Sequence, residues 1–127
     1  MPLFTWYDKY SVNNEELDSH HKTLFDIFSR LYDNCLKAKS THCVGPIIHD
    51  LLSYADYHFK AEEHYMEDAG YKDLLKHSQM HSYFIEKAME MKKVENKDDL
   101  ELTKELTVFL GNWLLHHVIE EDRKYKI

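Results

Sequence analysis

Two pairs of potential metal ligands recur at the spacing of one helical turn: His58 with Glu62, and His77 with His81. Residues four apart on a helix lie on the same face, one turn above each other, so each pair can aim two donor atoms at one place. His21 and His117 stand on comparable lines near the two ends of the chain. The other residues on these lines are mostly apolar, so the faces that carry the ligands are the faces that should be buried. Burying an unpaired imidazole or carboxylate is costly. One such residue could be a satisfied core histidine, whereas six from four segments require a common partner. A metal centre is such a partner, because imidazole and carboxylate are natural ligands of transition metals. Five histidines and at least one carboxylate exceed a tetrahedral zinc site. Carboxylates can bridge two ions, so the count points to two metals. Iron suits this donor set best, and manganese suits so many imidazoles less well.

The lines belong to four segments with helical periodicity. The first runs from about Asn14 to Lys39, with Leu17, His21, Leu24, Phe28, Leu31 and Cys35 on its stripe. The second runs from about Thr41, capped by Ser40 or Thr41, to Asp68, and carries Val44, Ile48, Leu51, Ala55, His58, Glu62 and Tyr65. Pro46 falls near its first turn, where proline is tolerated, and Gly70 reads as its stop. The third runs from about Tyr71 to Val94 with Leu74, His77, His81, Phe84, Ala88 and Met91. The fourth starts at Asp98 or Asp99 and runs to Asp122 with Leu102, Leu106, Phe109 or Leu110, Trp113 and His117. Long helices joined by short connections pack as antiparallel neighbours, so the expected fold is all-α, an up-down-up-down four-helix bundle. Phe4, Trp6, Tyr7 and Tyr10 form an N-terminal aromatic arm expected to fold over it.

Composition narrows the function. The 127 residues suit one domain, residues 1–127, with one core. A formal charge of −7 argues against nucleic acid as a partner. No apolar run approaches the roughly 20 residues of a membrane span, and no secretory signal is visible, so the expected location is cytoplasmic. Cys35 and Cys43 lack metal-type spacing and are expected to be two reduced thiols. The ten histidines are dispersed along the chain, which excludes a terminal tag.

Five blocks occur in order: Asp18-Ser-His-His-Lys-Thr-Leu-Phe25; His58-Phe-Lys-Ala-Glu62-Glu63-His-Tyr-Met66; Tyr71; His77-x-x-x-His81; and Trp113-Leu-Leu-His-His117-Val-Ile-Glu-Glu-Asp122. With the arm at Trp6, they cover nearly the whole chain, and together they resemble the successive motifs of the hemerythrin family. The resemblance implies seven ligands: His21, His58, Glu62, His77, His81, His117 and Asp122. His77, His81 and His117 would saturate one iron, and His21 and His58 would hold a second with one open position. Glu62 and Asp122 would bridge the two ions beside an oxo or hydroxo group. Ideal helix geometry does not choose Asp122, which lies five residues beyond His117 and about 140° around the axis. Glu121 is the better geometric choice, and Asp122 requires the last turn to be distorted or to end there. His20 and His116 are expected to lie outside the ligand set, behind it or on the surface, and His42, His49 and His64 in solvent.

The resemblance further implies reversible binding of dioxygen at the open position, within an apolar wall of Leu24, Phe59, Trp113 and Leu114. The ferritin-like di-iron proteins instead use Glu-x-x-His units, and none occurs here. A dioxygen carrier, store or supplier to an oxygen-using partner protein is therefore the expected role, rather than an enzyme. The competing readings are a peroxidase or nitric oxide reductase on the same centre, a dioxygen sensor needing a partner chain, and a structural zinc bundle. The inward-facing stripes predict a monomer, with Tyr54, Tyr57 and Tyr83 as surface aromatics available for a contact.

Overall fold

Asn14 ends the extended arm and starts the first helix. Its side chain accepts a hydrogen bond from the backbone N–H of Leu17 at 3.0 Å, satisfying a donor that the first helical turn leaves free. Glu15, Glu16 and Asp18 follow in that turn, where negative charge suits the helix dipole. The computed structural model describes residues 6–37, 44–94 and 100–125. In it, α1 spans Glu15–Arg30, α2 Val44–Asp68, α3 Leu74–Lys92 and α4 Leu100–Trp113. The four helices form an up-down-up-down bundle, with no strand among the described residues. No described helix is long and apolar enough to cross a membrane.

Two helices change their winding before they end. After Arg30 the chain continues as a π-helical segment, Leu31–Leu36. After Trp113 it continues as a second, Leu114–Glu121, followed by a 3-10 turn, Asp122–Tyr125. The periodicity predicts unbroken helices across both. The expected caps Ser40, Thr41, Asp98 and Asp99 lie outside the described residues, as do Phe4 and His42.

The stop of α2 is built as expected around Gly70, at φ +68°. The N–H of Tyr71 donates to the Met66 carbonyl at 2.9 Å and that of Gly70 to Glu67 at 3.1 Å. This is a Schellman closure, which needs a left-handed residue and favours glycine. Tyr71 is thereby used in the turn, so α3 begins at Leu74 rather than at Tyr71.

Most apolar side chains form one cluster that runs from Leu24 and Phe28 through Ile48, Leu51, Phe59 and Phe84 to Leu106, Leu110 and Leu114. A smaller cluster of Val12, Leu17 and Met66 closes the other end of the bundle. The arm joins the larger cluster, with Trp6 packing edge-on to Phe25 at 5.6 Å. On α1, α2 and α3 the histidine lines fall between the two clusters.

Two expectations are corrected here. Tyr54, expected at the surface, is 1% exposed. It lies three residues after Leu51 and four before His58, on the stripe itself. Cys35, expected as a reduced thiol, is disulfide-bonded. The absence of a metal-binding spacing says nothing about how close two helix ends lie. The other cysteine, Cys43, lies outside the described residues.

Candidate metal centre

All seven residues of the expected ligand set converge and are buried: His21 from α1, His58 and Glu62 from α2, His77 and His81 from α3, and His117 and Asp122 from the segment beyond α4. Glu62 stands at the middle. Its Oε1 lies 2.8 Å from His81 Nε2 and 3.3 Å from His77 Nε2. Its Oε2 lies 3.1 Å from His21 Nε2 and 3.2 Å from His58 Nε2. Asp122 repeats the division. Its Oδ1 is 2.7 Å from His77 Nε2 and 3.0 Å from His117 Nε2, and its Oδ2 is 3.0 Å from His21 Nε2. Each carboxylate thus turns one oxygen to one group of histidines and the other oxygen to the second group.

The donors accordingly fall into two overlapping sets, one of Glu62, His77, His81, His117 and Asp122, the other of His21, His58, Glu62 and Asp122. Within each set the donor atoms lie within 4.8 Å of one another. His117 Nε2 and Asp122 Oδ2 are buried without a hydrogen-bond partner. Their neighbours are close but lie in directions unsuited to a hydrogen bond. Buried polar atoms left without a hydrogen-bond partner among so many donors of this kind fit a bound cation.

The place of Asp122 follows from the winding of the chain. Its backbone N–H donates to the His117 carbonyl five residues back, the bond that defines a π turn. In that winding a residue five positions on returns to the same face. The geometric preference for Glu121 rested on an ideal α-helix, which the chain leaves at Leu114.

The two carboxylates govern the charge of the cluster. Burial alone would lower the basicity of His21, but Asp122 and Glu62 outweigh it and raise its pKa to about 10. The same opposition raises His77 to about 9. Burial opposes ionisation of Glu62, yet His58, His21 and His77 hold it well below the usual carboxylate range. Asp122 is held low as well, against burial and the nearby Glu62, by His117 and His21. His58 is shifted down, chiefly by burial. Without a cation, then, the cluster keeps its balance by holding protons between carboxylates and imidazoles.

Rings pack behind the clustered histidines. Phe59 stacks on His81 with centroids 3.9 Å apart, and Trp113 stacks on His117 at 3.9 Å. Leu24 and Leu114 are buried in the same apolar cluster as these two rings. Two side chains, Tyr54 and Glu63, escape the sequence reading of the site, and a third, His20, takes the place behind the cluster, one of its two expected positions. Tyr54 stacks on His58 at 4.9 Å, and its buried hydroxyl has no hydrogen-bond partner. Glu63 Oε2 approaches His81 Nδ1 at 3.0 Å, and His20 Nδ1 approaches His58 Nδ1 at 3.0 Å. Tyr54 could have been found from its i,i+4 relation to His58. The other two contacts join different helices and leave no local signal. His116, His49 and His64 are exposed, as expected.

Between α3 and α4 a groove of about 1060 Å³ runs past Met80, Tyr83, Val108 and Phe109 to Trp113 and His117.

Residues 12–126 match the family described as the hemerythrin HHE cation binding domain. A bacteriohemerythrin of Clostridium acetobutylicum is 30% identical, over 97% of this chain and 98% of its own length. A hemerythrin-like protein of Naegleria gruberi is 31% identical, over 97% and 91%. The solved structure of a wild-type hemerythrin gives a TM-score of 0.80 at 26% identity, covering 98% of this chain and 95% of that one.

Proposed function

The chain belongs to the hemerythrin family, and from that premise we propose that it binds dioxygen reversibly at two iron ions held in the core of the bundle. The observation that carries this reading is the division of Glu62 and Asp122, each with one oxygen toward His77 and one toward His21. Two shared carboxylates between two histidine groups suit a pair of cations and support this reading. His77, His81 and His117 would hold one ion and His21 and His58 the other, with Glu62 and Asp122 available to both. Ferrous ions so held would supply the electrons that dioxygen accepts on binding and returns on release.

The rest of the function lies with the chain. The set with His21 and His58 has four protein donors against five in the other, which leaves room there for a small ligand. Five neutral imidazoles and two carboxylates keep the charge of the loaded centre low, which suits reversible binding better than strong oxidation. Phe59 and Trp113 fix the planes of His81 and His117 by stacking. Together with Leu24 and Leu114 they exclude water from the bound ligand. We read residues 1–127 as one domain, monomeric, acting as a carrier, store or supplier of dioxygen to an oxygen-using protein.

The test is optical. The iron-loaded protein is reduced without air, exposed to dioxygen, and then returned to inert gas. Visible charge-transfer bands that appear and then vanish support the proposal. Direct passage to a stable ferric spectrum rejects the carrier role in favour of an enzyme. No iron bands at all returns the zinc reading.

A further inference from the structure

Two of the clustered histidines meet a side chain outside the cluster through the nitrogen that faces away from it, and the two outer partners differ in charge. In His81, Nε2 faces Glu62 and Nδ1 faces Glu63 Oε2 at 3.0 Å. In His58, Nε2 faces Glu62 and Nδ1 faces His20 Nδ1 at 3.0 Å. A histidine that gives the lone pair of Nε2 to a cation keeps its proton on Nδ1, so Nδ1 becomes a donor. Glu63 accepts that bond as a carboxylate. His20 accepts it only as a neutral ring with its own proton on Nε2, and that nitrogen is 4.0 Å from Glu16 Oε1. The His20 ring is braced edge-on by Tyr57, with centroids 4.9 Å apart. His21 differs from both, with a buried Nδ1 that has no hydrogen-bond partner.

We propose that His20 and Glu63 are positioning residues for the metal centre, His20 fixing the tautomer and ring angle of His58 and Glu63 those of His81, and that their difference in charge makes the two cation positions unequal. A carboxylate accepting from Nδ1–H makes the far nitrogen a stronger donor to metal than a neutral imidazole does. The position served by His81 therefore binds its cation the more tightly, beyond what its extra protein donor contributes. This rests on the reading of the cluster as a two-metal centre.

The experiment is a calorimetric titration of metal-free protein with Zn(II), alongside nitrogen-15 spectra of the imidazoles in the Zn(II)-loaded protein. Wild-type protein should bind in two steps. Glu63→Leu should weaken the tighter step by about 10–100-fold, and His20→Leu the weaker step by a smaller factor. His20→Gln offers an amide oxygen to the same Nδ1–H and should restore wild-type binding. Glu63→Gln keeps the acceptor without the charge and should fall between wild type and Glu63→Leu. The slowly exchanging Nδ1–H of His58 should be lost in His20→Leu alone, and that of His81 in Glu63→Leu alone. Melting of each metal-free variant at the wild-type temperature shows that the fold is kept. The proposal is overturned if both leucine variants weaken the two steps equally, if neither step moves, or if His20→Gln behaves as His20→Leu. Wild-type protein that binds fewer than two Zn(II) would instead overturn the two-metal reading beneath it.

Discussion

Asp122 donates its backbone N–H to the His117 carbonyl, and its carboxylate Oδ1 returns to 3.0 Å from Nε2 of the same histidine. A π-helical turn thus brings into the centre a residue that an α-helix would carry round to another face. The consequence is testable. Asp122→Ala removes a carboxylate shared by both donor sets and should cut bound iron from about two per chain to one or none. Glu121→Gln should leave the iron content unchanged. Elemental analysis after reconstitution decides, and the reverse pattern would sink the assignment of Asp122.

Leu114 is fully buried at the start of that turn. Leu114→Ala should destabilise the fold by about 2–5 kcal/mol, read from denaturant unfolding. It should also speed autoxidation by opening the wall to water. Lost stability with an unchanged autoxidation rate would leave Leu114 a packing residue only.

Above about pH 6.5, rising pH acts on metal-free stability and on metal binding in opposite directions. His21 and His77 are raised from 6.5 to about 10 and about 9. Their contribution to metal-free stability is fully present below pH 6.5 and lost as pH rises through about 9 and then about 10. Glu62 and Asp122 are depressed, so their contribution is present above the ordinary carboxylate values of 4.5 and 3.8 and lost as pH falls below them. Metal-free protein should therefore be most stable between about pH 5 and 6.5. Cation binding must displace the protons on His21 and His77, so about two protons should leave per chain at pH 7. Calorimetry in buffers of different protonation enthalpy measures this directly. A finding of no proton release would contradict the charge state described. The gain in melting temperature on adding metal should grow from pH 6.5 to 9.

Gly70 offers a check on the fold independent of metal. A Cβ built there meets nothing within 4 Å, yet φ is +68°. Gly70→Ala should cost about 1–2 kcal/mol from backbone strain alone, seen as a melting temperature a few degrees lower at unchanged iron content. An unaltered melting temperature would mean that the turn is not held left-handed in solution.

The sequence by itself determined the bundle and six of the seven converging residues. His58 and Glu62, His77 and His81, and the lines through His21 and His117 are local facts. A spacing of three and four residues sets a helical face wherever the helix lies, and buried polar residues on such faces demand a shared partner. The resemblance to a known family added Asp122, which spacing argued against. Tertiary structure decided what depends on winding and on distance between helices. It switched the chain to π geometry after Trp113, brought Asp122 under His117, buried Tyr54 against His58, and gave Cys35 a disulfide. It also set His20 behind His58 and Glu63 behind His81, and turned the two oxygens of Glu62 to different histidines. None of these is periodic along the chain. Each is fixed by the packing of all four helices at once, through distances that no local spacing records.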